Sequence, residues 1–143
     1  METPMPFTIA SAEDLGALRG LGFVRGDIRL LLRLEGLGVL LLACAAYAVS
    51  GASWLLFALL FLMPDITFVF YLAGRAAGTL AYNTAHTYLP PLAMLTASLL
   101  AYPELKPYAL IWIAHIGFDR FVGYGLKYGS AFGHTHLGLV GKA

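Results

Sequence analysis

The sequence predicts an all-α integral membrane protein, an antiparallel four-helix transmembrane bundle, N-in and C-in, with a short interfacial helix ahead of the first span. Three observations carry that expectation. Of 143 residues, 59% are hydrophobic and only 12% are charged, against roughly 25% charged in soluble domains, and mean hydropathy is +0.76. Four apolar runs each reach the roughly 20 residues a helix needs to cross a bilayer. The basic residues, finally, are divided very unevenly between the two ends of those runs. A net charge of +1 leaves no basic excess for nucleic acid, so the expected partners are membrane lipids and, at most, further copies of the chain.

Residues 1–27 form an N-terminal segment. Within it, residues 11–20 read as the interfacial helix: Ser11 and Asp14 have capping-box spacing, with Asp in place of the usual Glu, and Leu15 and Leu18 supply a small apolar face. Glu2, Glu13 and Asp14 precede any long apolar stretch, so no cleavable signal peptide is expected and the first span serves as its own insertion signal. The transmembrane domain covers residues 28–128, with spans at about 28–49, 52–74, 76–101 and 107–127. The connections are short, which forces neighbouring helices to run antiparallel. With both termini on one side, that side holds Arg19, Arg25, Arg29, Arg33, Arg75, Arg120, Lys127 and Lys142, and the other only Lys106. That asymmetry places both termini in the cytoplasm. Arg25, Arg29 and Arg33 recur every four residues and form a basic stripe suited to anionic headgroups. Cys44 is the single cysteine and lies in an apolar run. Residues 129–143 form a cytoplasmic tail rich in Gly and His, either exposed or folded back over the bundle.

Five ionisable residues interrupt the spans: Glu35, Asp65, His86, His115 and Asp119. At about 1.5 Å per helical residue they share a layer roughly 10–18 Å from the cytoplasmic boundary. A charge in hydrocarbon needs a partner, a water-filled cavity or an ion. His115 and Asp119, spaced i, i+4, share one face of the last helix. Thr79, Asn83 and His86 share a face of the third, with Tyr82 beside His86. Pro64, next to Asp65, removes a backbone donor and frees a carbonyl at the same depth. Histidine and carboxylate side chains on facing helices are how bundles hold metals, and a nitrogen–oxygen set without thiolate suits Zn, Mn or Fe.

Ordered motifs also carry a family resemblance: Arg33-Leu34-Glu35-Gly36-Leu37, Met63-Pro64-Asp65, Tyr82-Asn83-Thr84-Ala85-His86, His115-Ile116-Gly117-Phe118-Asp119-Arg120, Gly123-Tyr124-Gly125-Leu126-Lys127-Tyr128 and Thr135-His136-Leu137-Gly138. Together they resemble the bacterial membrane family catalogued as domain of unknown function 4260, over about residues 28–140. The resemblance implies a small four-helix inner-membrane protein without an assigned activity. Its motif positions fall on Glu35, Asp65, Asn83, His86, His115, Asp119, Arg120, Lys127 and His136. A weaker likeness points to membrane-bound metal-dependent hydrolases, whose second acid is replaced here by Thr67 and whose His-Arg is missing before Thr135-His136.

The leading expectation is a metal-dependent hydrolase acting on a lipid or other amphipath at the cytoplasmic side. Asp65, His86, His115 and Asp119 are its expected metal ligands. Glu35, as ligand or general base, and Asp119 are the expected catalytic groups. Arg120 and Lys127 are expected to hold an anionic group, supported by Asn83, Tyr82 and His136. A proton-coupled carrier would use the same residues as a relay. It would need a homodimer, with Gly117, Gly123 and Gly125 allowing close helix approach. The third alternative is an accessory protein whose buried polar layer fixes helix register.

Overall fold

The computed structural model describes residue 24, residues 26–130 and residues 132–140. The interfacial helix expected at residues 11–20 lies outside the described residues. The chain is mostly helical. Helix α1 is Gly26–Val49; α2, Trp54–Leu60, continues into a 3-10 segment at Met63–Ala73. Helix α3, Arg75–His86, and α4, Leu89–Leu100, follow. A 3-10 turn at Pro103–Leu105 leads into α5, Lys106–Val122. A two-stranded antiparallel hairpin comes last among the described residues, β1 at His134–Thr135 and β2 at Gly138–Leu139.

Two of these helices, Gly26–Val49 and Trp54–Ala73, are long and apolar enough to cross a membrane, and their most apolar stretches are only 17% and 6% buried. A core helix of a soluble protein hides its apolar residues; these two present Leu41, Leu42, Leu55, Leu59 and Leu72 outward. The core is organised instead around α5, which buries Ala109, Ile111, Ala114, Ile116 and Gly117 among others. Helix α1 crosses it with the backbones touching. A Cβ built on Gly36 would lie 2.5 Å from the Arg120 Cβ, and one on Gly117 would lie 2.8 Å from the Leu40 nitrogen. This is close packing through small residues that let the backbones approach. Gly117, expected to serve contacts between copies, is used within the chain.

The helices depart from the expected spans at three places. Pro64 withholds an N–H from the helical ladder, and the following winding tightens: Asp65 N–H donates to the Leu62 carbonyl at 3.1 Å and the Thr67 hydroxyl to the Pro64 carbonyl at 2.7 Å. The third span is broken in two, because Thr87 adopts an extended conformation just ahead of Tyr88 and Pro90-Pro91. The last helix stops at Val122 rather than near 127. Gly123 takes φ +103°, and its N–H bonds the Asp119 and Arg120 carbonyls. Only glycine adopts that conformation without strain, and it is the common way to end a helix.

Candidate metal centre

Three segments bring four side chains to one point. The 3-10 segment supplies Asp65, the last residue of α3 supplies His86, and α5 supplies His115 and Asp119 one turn apart. One ligand atom from each lies within 4.8 Å of all the others. His86 Nε2 is 3.2 Å from His115 Nε2, 3.2 Å from Asp65 Oδ1 and 3.5 Å from Asp119 Oδ2. His115 Nε2 is 3.7 Å and 3.8 Å from the same two oxygens. Bonds of about 2.0–2.1 Å to a central ion put tetrahedral ligands about 3.3–3.4 Å apart. The separations from the two imidazoles, 3.2–3.8 Å, are close to those edges.

Neighbouring groups aim the ligands. His86 Nδ1 donates to the Tyr82 carbonyl at 2.8 Å, which in the neutral ring leaves the lone pair on Nε2, toward the cluster. Such a bond fixes tautomer and ring orientation in metal sites. The Tyr82 ring stacks on the His86 imidazole, centroids 3.8 Å apart, and Phe61 packs edge-on against His115. Both imidazoles are almost wholly buried, Asp119 nearly so, while the Asp65 side chain keeps 36% of its surface exposed. Reach into the cluster is therefore from the carboxylate side.

Helix α3 ends inside the protein, so its last carbonyls need donors. Helix α5 provides them: Trp112 Nε1 donates to the Ala85 carbonyl at 2.7 Å and Arg120 Nη2 to the His86 carbonyl at 2.8 Å. Arg120 Nη1 donates to the Tyr124 carbonyl at 2.8 Å. Arg120 is buried and committed to backbone, so it holds the site together rather than meeting an anion. Trp112 shares that role; its spacing three residues before His115 puts the two on one face of α5.

Glu35 does not join the cluster. It is exposed on α1, one residue along from Gly36, which is pressed against α5. A step of one residue turns a side chain about 100° around the helix, away from that contact. Its expected part as ligand or base has no geometric support.

Beside the cluster lies a cavity of about 540 Å3 lined by Asp65, Asp119, Tyr82, Lys127 and the aromatic rings of Phe68 and Phe132, among others. The C-terminal segment roofs it. Tyr128 N–H bonds the His134 carbonyl, Lys127 pairs with Thr135 in a bridge, and Leu137 is wholly buried. His136 is a fastening: its Nδ1 accepts the Leu126 N–H at 2.9 Å, and its own N–H donates to the Leu126 carbonyl. Burial, reinforced by the Arg120 charge, pushes His136 below its ordinary pKa, so the ring stays an acceptor. Asn83 clamps Lys127 from α3, its amide donating to the Lys127 carbonyl at 2.9 Å and accepting the Lys127 N–H at 2.7 Å. The Lys127 ammonium faces four rings, Phe132 at 3.4 Å, Phe68 and Tyr82 at 4.6 Å and Tyr71 at 5.4 Å. Burial pulls its pKa down to about 8, against the opposing influence of Asp119 and Asp65. No sequence signal pointed to this ring of aromatics, which draws on three separate segments.

The chain matches the family described as Domain of unknown function (DUF4260) over residues 29–140. No curated protein and no solved structure matches it.

Proposed function

The chain belongs to the family of unknown function DUF4260, and from that membership, which assigns no activity, we propose an integral membrane protein with a divalent metal centre that hydrolyses an amphipathic substrate. The observation that carries the reading is the convergence of Asp65, His86, His115 and Asp119, one ligand atom from each within 4.8 Å of all the others. Two carboxylates and two neutral imidazoles balance a dication, which makes this set tolerable away from water. Nitrogen–oxygen ligation suits Zn, Mn or Fe, and the compact spacing favours Zn.

The outward apolar faces of α1 and of Trp54–Ala73 support membrane insertion. In this reading α3 and α4 cross as a broken pair and α5 crosses as the central helix. The distribution of Arg and Lys supports both termini in the cytoplasm of a bacterial cell. The cavity and its C-terminal roof then lie toward that side.

A closed four-ligand site would be structural, whereas catalytic sites keep a reachable position. Here the cavity touches both carboxylate ligands, which favours catalysis. A bound dication supplies Lewis acidity and a more acidic water. Asp119 lines the cavity as well as the cluster, so its second oxygen is placed to take the proton of the attacking water. Tyr82 and Arg120 keep the imidazoles and the end of α3 in register.

Reconstitution in liposomes with Zn or Mn, and a survey of ester and phosphoester lipids, tests this. The expected result is turnover that a chelator abolishes, metal restores and Asp119→Asn lowers by about a hundredfold or more. Turnover indifferent to chelation, or none in metal-loaded protein across the survey, overturns it.

A further inference from the structure

We propose that the cavity beside the cluster binds a phosphate group, with the Lys127 ammonium as its donor on one side and the metal centre on the other. This rests on the metal-dependent reading above and names the chemistry of the substrate's polar end. Lys127 is only 8% exposed. Among the described residues no carboxylate lies within 4 Å of its nitrogen and no side-chain acceptor hydrogen-bonds to it; the Lys127 contacts to Asn83 are made by its backbone. The four surrounding rings attract a positive charge through their faces. They cannot satisfy three N–H donors directionally. A largely buried lysine that lines a cavity, with no carboxylate against its ammonium, is placed for an acceptor that arrives from outside.

Charge identifies that acceptor. Two carboxylates, a dication and one ammonium leave the cavity with an excess of one positive charge, which a phosphate monoanion cancels. Its several oxygens allow one to reach the metal and another the ammonium together, and lysine is an established point-charge partner for phosphate. The position of the ammonium is set: Asn83 holds the Lys127 backbone by two hydrogen bonds, and Thr135 pairs with it from the hairpin. Arg120, the other expected anion binder, is spent on carbonyls. Lys127 thus carries the role alone.

The test uses the purified full chain in detergent, loaded with Mn, titrated with inorganic phosphate and separately with lysophosphatidate. Metal content is measured on the same samples. Wild-type protein should bind both. Tighter binding of lysophosphatidate identifies a lipid headgroup as the source, and tighter inorganic phosphate a soluble one. Lys127→Met should keep its metal and its melting temperature while losing about tenfold or more in affinity for both probes. Lys127→Arg, which keeps the charge, should retain most of it. Equal affinity in Lys127→Met, or no phosphate binding by metal-loaded wild type, overturns the proposal. Should wild type hold no metal, that failure belongs to the metal reading. The same titrations on metal-free protein then decide: phosphate binding that depends on Lys127 supports the subsite, and its absence overturns it.

Discussion

Replacing Gly36 with alanine should unsettle the site from a distance, by an amount the crossing of α1 and α5 allows to be worked out. The added Cβ would stand 2.5 Å from the Arg120 Cβ, 2.8 Å from the Phe121 nitrogen and 2.9 Å from the Gly117 carbonyl oxygen. Carbon atoms rest about 3.5–4.0 Å apart, so the two helices must separate by about 1 Å. Two of the three atoms struck are backbone and cannot swing aside. Overpacking of this kind costs about 1–3 kcal/mol, and a chain of this size loses roughly 3–4 °C of melting temperature per kcal/mol. Gly36→Ala should therefore melt about 3–12 °C lower, a range that follows from those two figures. Because α5 carries His115, Asp119 and Arg120, the variant should also bind metal more weakly. Gly38→Ala is the control: it lies two residues along the same helix, with nothing within 4 Å of its added Cβ. It should melt as wild type or slightly higher, since alanine is the better helix former. Thermal unfolding in detergent reads both. Equal melting of Gly36→Ala and Gly38→Ala would refute the close crossing as the element that positions α5.

Three further outcomes are expected. Lys127 titrates near 8 because burial depresses it, so its ammonium is present below that pH and lost above it. Affinity for a phosphodiester probe, which does not titrate in this range, should fall as pH rises through about 8, and Lys127→Arg should remove the fall. The same depression makes folding stability rise between about 8 and the ordinary 10.5, where the unfolded chain still holds the proton. Arg120→Gln removes charge-assisted donors from the His86 and Tyr124 carbonyls; unfolding should show a loss of about 2–5 kcal/mol. Gly125→Ala would place a Cβ 2.6 Å from His136 Nδ1. The hairpin should detach, seen as cleavage within residues 129–140 by a nonspecific protease about tenfold faster, with the helical circular dichroism unchanged.

The four cluster residues were legible in the sequence because depth follows from counting along apolar runs, and because His115 and Asp119 had to share a face at i, i+4. Rotation about each helix was not legible. Glu35 sits at the right depth, yet it is turned away from α5 because Gly36, its neighbour, is the residue in contact. Arg120 follows Asp119 by one residue and so points to the end of α3 instead of into the cavity. That end exists only because Thr87 leaves the helix before Pro90-Pro91, a break whose orphan carbonyls no count of apolar residues reveals. The tail could be read either as exposed or as folded back; the structure folds it, with Leu137 buried and His136 pinned to Leu126. The helical class followed from composition and apolar runs; of the four spans expected, two are long and apolar enough as helices to cross a membrane. The aromatic surround of Lys127 does not, since Phe68, Tyr71, Tyr82 and Phe132 meet only once three segments are packed.

Bound metal, measured by mass spectrometry on protein purified in detergent without an affinity histidine tag, bears most directly on the centre formed by Asp65, His86, His115 and Asp119. Wild-type protein should carry close to one divalent ion per chain, and the His115→Ala/Asp119→Ala variant, folded by circular dichroism, should carry none. Wild-type protein that holds no metal after incubation with Zn, Mn or Fe, or a variant that holds as much as wild type, would contradict it.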